Sequence, residues 1–260
     1  MKRVAATLRL DYHLLMDPIL GRTISGFIYT YTVIMGMSIL LAFGLTARLN
    51  STKLPDWVDT AVFIMIVAWI GARIGFLGAN WGFYKAEPAQ LYKLWQGGHS
   101  YHGAMIAGLL GLFIWSIFRK RPFIQYTTLL LPALILLHAG GWLACYYEGC
   151  AYGAETFLGP FAANLPDTFG VFAVRYQTQL AGFFLTLLLF IFSWNLRSRI
   201  DDWALLGITL LSLSCIHLLI SNYRGDIQFA HLEKGIDLGF ILLGMIFVGY
   251  GRLQKPSKNT

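Results

Sequence analysis

Trp95-Gln96-Gly97-Gly98-His99-Ser100-Tyr101-His102-Gly103 is a glycine-loosened turn, rich in aromatic and histidine side chains, that runs straight into the apolar stretch 101–118. That junction sets the solvent in which the chain folds. A long apolar run entered from a polar turn belongs at a water–lipid boundary. Glycines let a backbone approach a ligand closely, and a histidine at the mouth of a membrane helix costs free energy unless something uses it. The stretch reads as the rim of a site at a membrane surface.

Composition agrees along the whole chain. Hydrophobic residues make up 57% of it and charged residues 13%, with a mean hydropathy of +0.59, which places it among integral membrane proteins. Crossing a bilayer takes about 20 apolar residues, and seven segments qualify, roughly 27–47, 57–79, 101–118, 123–147, 177–196, 203–222 and 235–251. The third is short and the seventh contains Asp237. The expected fold is all-α, one polytopic domain over residues 1–260, without repeats or linkers. The segment before residue 20 begins basic but holds Asp11 and Asp17 and lacks an apolar core, so no cleavable signal peptide is expected.

Basic residues orient the spans. Arg48 and Lys53, then Arg119-Lys120-Arg121, then Arg197 and Arg199, then Arg252, Lys255 and Lys258 fall in alternate connections. The positive-inside rule puts these in the cytoplasm, with the N-terminus outside and the C-terminus inside. The long connections 80–100 and 148–176 then lie outside, where working residues are expected. A net charge of +7 is accounted for by topology and anionic lipid heads, and no nucleic-acid partner is needed.

Several polar residues lie where lipid is expected. Arg73, late in the second span, either snorkels to head groups or presents its planar fork to a phosphate. His102, opening the third, is a general base or a hydrogen-bonded lining residue. Glu148, closing the fourth, is an acid–base group or merely solvated. Cys145 and Cys150 have no partners at zinc spacing, so no metal is expected. A disulfide between them is awkward if the helix continues, which favours inert thiols. Gly71 with Gly75, Gly103 with Ala107 and Gly111, and Ala104 with Gly108 are spaced to let the second and third spans pack closely.

Taken in order, Gly71-Ala72-Arg73-Ile74-Gly75, Trp95 through Ala104, and Gly141-Trp142-Leu143-Ala144-Cys145-Tyr146-Tyr147-Glu148-Gly149-Cys150-Ala151-Tyr152-Gly153 resemble bacterial prolipoprotein diacylglyceryl transferases. Arg175-Tyr176-Gln177-Thr178-Gln179-Leu180 is similar to that family's His-Pro-Ser/Thr-Gln-Leu segment, and the likeness covers about residues 25–250. The resemblance implies a multi-pass enzyme of the bacterial inner membrane. Such an enzyme moves diacylglyceryl from phosphatidylglycerol to a lipoprotein precursor's cysteine thiol at the outer leaflet, without a cofactor. On matching positions, His102 falls on the family's histidine, Arg73 and Arg224 on two of its arginines and Gly153 on the signature's closing glycine. The candidate catalytic set is His102, Glu148 and His217, and the candidate lipid- and phosphate-binding set Arg73, Arg224, Gly103, Gly153 and Gln179.

The departures from the family pattern are specific. Trp142 stands where the signature has arginine, His217 at a late arginine, Ser221 at a glutamate, Tyr176 at a histidine and Ser25 at an early tyrosine. Tryptophan offers phosphate no charged fork, and histidine serves only while protonated; His138 and His217 are the available substitutes. Two classes remain open, a divergent transferase and a non-catalytic paralogue serving as a lipid-binding or assembly subunit of a membrane complex. Arg224-Gly225-Asp226 could be an adhesion tripeptide, but a turn after a helix is the simpler reading.

Overall fold

The computed structural model describes residues 19–23, 26–50, 54–93, 97–157, 159–226 and 230–253. Ser25 lies outside them. Elements in chain order are β1 (Ile19–Thr23), β2 (Gly26–Tyr29), α1 (Thr30–Asn50), α2 (Trp57–Ala79), α3 (Trp81–Ala86), a 3-10 turn (Pro88–Gln90), α4 (Tyr101–Phe118), α5 (Phe123–Glu148), β3 (Ala162–Pro166), β4 (Phe172–Tyr176), α6 (Thr178–Leu196), α7 (Asp202–Ser221) and α8 (Ala230–Leu253). Among the described residues, seven helices are long and apolar enough to cross a membrane, and they match the seven expected segments. Among the described residues the protein is mostly helical.

The differences lie at the ends and in the connections. The first span begins at Thr30 rather than residue 27, because Gly26–Tyr29 pairs antiparallel with Ile19–Thr23. A short apolar run does not by itself distinguish strand from helix. The last helix starts at Ala230, five residues earlier than expected. The connection 80–100 contains α3 and the 3-10 turn, and 148–176 carries the β3–β4 hairpin, with Ala162 opposite Tyr176 and Pro166 opposite Phe172.

Within the described residues the chain forms two compact units. The first comprises Met1–Gly44, Ala133–Asn195 and Ser212–Gln228, the second Leu45–Pro132, Leu196–Leu211 and Phe229–Thr260. In the first, Trp142, Ala151 and Ile220 are buried together with Cys145, Phe183, Leu185 and Ile216 packed around them. In the second, Leu54, Ile64, Leu112, Tyr126, Leu129 and Leu130 form the core. Two side-chain hydrogen bonds flank it: Trp115 Nε1 donates to Thr60 Oγ1 at 2.8 Å and Tyr126 Oη to Asp56 Oδ2 at 2.7 Å.

The α2–α4 contact positions the first motif. A Cβ on Gly71 would overlap that of Ala107, and one on Gly103 would overlap the Gly71 carbonyl oxygen. Only small residues let the two backbones meet. The Ser100 amide donates to the Ala72 carbonyl at 2.9 Å. The Ser100 hydroxyl accepts from the Gly103 amide at 3.2 Å, capping α4.

Candidate functional site

In the second unit, α4 opens on His102 and α8 brings Asp237 to it. His102 Nε2 lies 3.0 Å from Asp237 Oδ1, and the two residues are 2% and 0% exposed. Ionisable groups inside membrane spans are rare and are paired with one another or with backbone. In the sequence Asp237 stands out only as an acidic residue in the otherwise apolar seventh span; such a residue demands a partner, and that is the one sequence signal for its role.

Arg73 is 5% exposed, so it does not reach outward to head groups. Its Nη1 donates to the Gly97 carbonyl at 2.6 Å and the Gly98 carbonyl at 3.2 Å. Its Nη2 donates to the Leu91 carbonyl at 3.5 Å. The guanidinium also lies 5.7 Å from the Tyr84 ring centroid. Both glycines take positive φ, 77° and 81°, turning two successive carbonyls toward one cation. Arg73 thus holds together the loop that leads into His102. Gly103 serves the helix contact described above.

In the first unit α5 ends at Glu148, which is exposed, and Gly149 at φ +76° reverses the chain. That reversal brings Cys145 and Cys150 to a Cα separation of 4.7 Å in a disulfide. The preference for inert thiols is corrected: it assumed a helix continuing past Cys150, and the helix stops two residues before it. The turn is pinned from several sides. The Asp226 carboxylate accepts from the Ala151 amide at 3.0 Å, Thr178 Oγ1 donates to the Ala151 carbonyl at 2.7 Å, and Gln179 Nε2 donates to the Cys150 carbonyl at 3.1 Å. Gly153 pairs with Arg224, and any Cβ there would overlap the Tyr176 carbonyl.

The cations beside this turn have acidic partners. Arg224 meets Asp226 with two parallel bonds, Nε–Oδ1 at 2.8 Å and Nη2–Oδ2 at 3.0 Å, the strong bidentate arrangement. Its Nη1 lies 3.5 Å from His217 Nε2; an arginine can only donate, so that nitrogen accepts. The Arg224-Gly225-Asp226 tripeptide is thereby folded on itself as a turn. Arg175 reaches Asp167 at 3.3 Å and Glu155 at 3.4 Å, with Tyr152 4.8 Å beneath it. Asp167 also accepts from the Val171 and Phe169 amides, both at 2.9 Å. Those bonds, the one from Val171 first and that from Phe169 and the charge of Arg175 after it, outweigh partial desolvation and hold its pKa below the ordinary carboxyl value. The pairings of Asp226, Asp167 and Arg175 are not legible in the sequence, because pairing across a loop leaves no periodic trace.

The family model for prolipoprotein diacylglyceryl transferase matches residues 18–251. The chain belongs to this family. It is 30% identical to phosphatidylglycerol–prolipoprotein diacylglyceryl transferase of Parasynechococcus marenigrum (strain WH8102) over 202 residues, 73% of this chain and 70% of that protein. It is 26% identical to the Synechococcus elongatus protein of the same name over 85% of this chain and 83% of that one. To the Lactococcus lactis (strain MG1363) protein, again of that name, it is 25% identical over 79% and 82%.

In this diacylglyceryl transferase-family chain, the residues expected to depart from the family pattern have local partners. Trp142 stands where the resemblance places the signature's arginine. It is 6% exposed, and its ring covers Gly182, where any Cβ would overlap it. Its Nε1–H donates to His138 Nε2 at 3.1 Å, so His138 offers that atom as an acceptor rather than as a charged donor. Ser221, at the family glutamate position, returns its hydroxyl to the Leu218 carbonyl at 2.8 Å. Tyr176 sets its ring against Tyr223, centroids 5.2 Å apart.

Proposed function

We propose that this chain is a divergent diacylglyceryl transferase that takes the diacylglyceryl group of a phosphatidylglycerol-type lipid at the outer leaflet and joins it to a cysteine thiol of a lipoprotein precursor. The observation that carries the reading is the fully buried His102–Asp237 pair at 3.0 Å. A membrane protein does not gain stability from such a pair over apolar side chains of similar size, and a histidine fixed by a carboxylate is suited to accept a proton. His102 takes the thiol proton and the sulfur attacks the glycerol carbon that bears the phosphate ester. The C–O bond breaks with its electron pair, and glycerol phosphate leaves and receives the proton. Glu148 and His217 are the catalytic candidates of the first unit. Arg73, Arg224, Gly103, Gly153 and Gln179 shape the lipid-binding side, Arg73 and Gly103 by ordering the loop and helix that present His102. Without the signature arginine, phosphate stabilisation is weak and turnover slow, since one lost oxyanion donor costs about 10²–10³ in rate.

The Arg224–Asp226 pairing supports a second reading, a lipid-binding or assembly subunit of a membrane complex, because a cation already bound bidentately by a carboxylate holds phosphate less well. One experiment separates the two. The purified protein is mixed with phosphatidylglycerol and a lipobox peptide, and the peptide mass is followed. A diacylglyceryl mass increase is expected. Its absence over long incubation, with lipid still bound to the protein, favours the subunit.

A further inference from the structure

We infer that Asp237 is a positioning residue for His102, so that the reacting histidine works as one half of a buried acid–imidazole dyad joining α4 to α8. The inference rests on the transferase reading for its functional consequence, and on geometry for the dyad itself. An ionised carboxylate can only accept, so with Asp237 charged the 3.0 Å contact between His102 Nε2 and Asp237 Oδ1 puts the ring proton on Nε2. The remaining basic atom of the ring is Nδ1. Asp237 therefore selects which nitrogen receives the thiol proton and offsets the charge that the ring acquires when it does. A carboxylate behind an imidazole acts in this way in other nucleophile-activating sites.

The rest of the pair's surroundings favours a fixed ring. His102 sits two residues past the Ser100 cap, and its neighbour Gly103 is pressed against Gly71 and Gly75. The Tyr101 ring lies edge-on at 5.2 Å. The backbone of α4 cannot rotate here without striking α2, so the direction from which Asp237 approaches sets the ring's orientation. Asp237 is 0% exposed, in a helix whose other charged residues stand near its ends. A carboxylate placed in the apolar body of that helix and aimed at the histidine costs more than apolar packing would, which a purely structural role does not explain.

The test uses the full-length protein in lipid nanodiscs with ¹⁵N-labelled histidine, comparing the natural chain with Asp237→Asn, His102→Gln and the double variant. The His102 signal, assigned by its loss in His102→Gln, is expected to show one ring form with the proton on Nε2. Asp237→Asn should give a mixture of ring forms. In the transfer assay Asp237→Asn should lower kcat tenfold or more, within the ~10²–10⁴ that a general base contributes, and leave KM for phosphatidylglycerol within about twofold. The double variant should be no slower than His102→Gln alone, as expected for residues acting as a unit. An unchanged His102 spectrum in Asp237→Asn, or losses that multiply in the double variant, would overturn the inference. If the natural chain transfers nothing, the functional reading fails by itself and the spectra still decide the dyad; a variant that does not fold is replaced by Asp237→Glu, which should retain the Nε2 proton.

Discussion

Gly75 lies where two helices and the candidate base meet, and adding one methyl group there should be felt at Asp237. A Cβ on Gly75 would sit 2.9 Å from Gly103 Cα, 3.2 Å from Ser100 Cβ and 3.3 Å from Ser100 Oγ, whereas ordinary contact begins near 3.4 Å. The obstacle is backbone and a short capping side chain, neither of which can swing aside. Relief requires the start of α4 to retreat by about 0.5 Å, within the range of shifts that overpacking causes. His102 is one residue from Gly103, so the same shift can lengthen its 3.0 Å bond to Asp237 toward 3.5 Å, the edge of hydrogen bonding. Gly78, one turn on in α2, has open space around its Cβ position. Both alanines gain the same helix propensity, about 1 kcal/mol over glycine, so their difference isolates the clash, typically ~1–3 kcal/mol. Thermal unfolding in detergent should rank Gly78→Ala at or above the natural chain and Gly75→Ala several degrees below Gly78→Ala. Only Gly75→Ala should disturb the His102 ring signal. Equal melting temperatures for the two variants would refute the claim that this crossing is what positions His102.

Asp226→Ala should raise the anionic phospholipid that co-purifies with the protein and Arg224→Ala should lower it, because the first frees the guanidinium that the second removes; equal retention would show that Arg224 does not meet lipid. The unaltered chain should fail to replace an authentic diacylglyceryl transferase in a depleted cell, while Trp142→Arg with His217→Arg should recover detectable transfer. Full complementation by the natural chain would show that Trp142 is tolerated. Asp167 is held below its ordinary value of 3.8, so the folded state binds fewer protons there than the unfolded one. Its contribution is complete above that value and is lost as pH falls below it through the lowered folded value. Acid unfolding curves of the natural chain and Asp167→Asn should therefore converge at low pH, and a constant gap would contradict this. Cysteine labels at Lys120 and Arg199 should be shielded from an impermeant outside reagent and a label at Glu87 accessible; the reverse would invert the proposed orientation.

The sequence by itself determined the solvent, the number of spans and most of their limits, because apolar length is a local property that a bilayer reads directly. It also marked Arg73, His102 and the small residues between the second and third spans, through position and spacing within one or two helices. Tertiary structure alone decided what those residues touch. Asp237 is 135 positions from His102, and no local pattern says which buried carboxylate a histidine will meet. The disulfide depended on whether α5 ran past Cys150, which the reversal at Gly149 settled. By residue type Trp142 is a missing cation; in the fold Gly182 and His138 receive its ring and its N–H. By residue type Arg224 is open to phosphate; in the fold Asp226 faces it. Charge and size are written in the chain one residue at a time, whereas satisfaction of a buried polar group belongs to pairs of residues that only folding brings together.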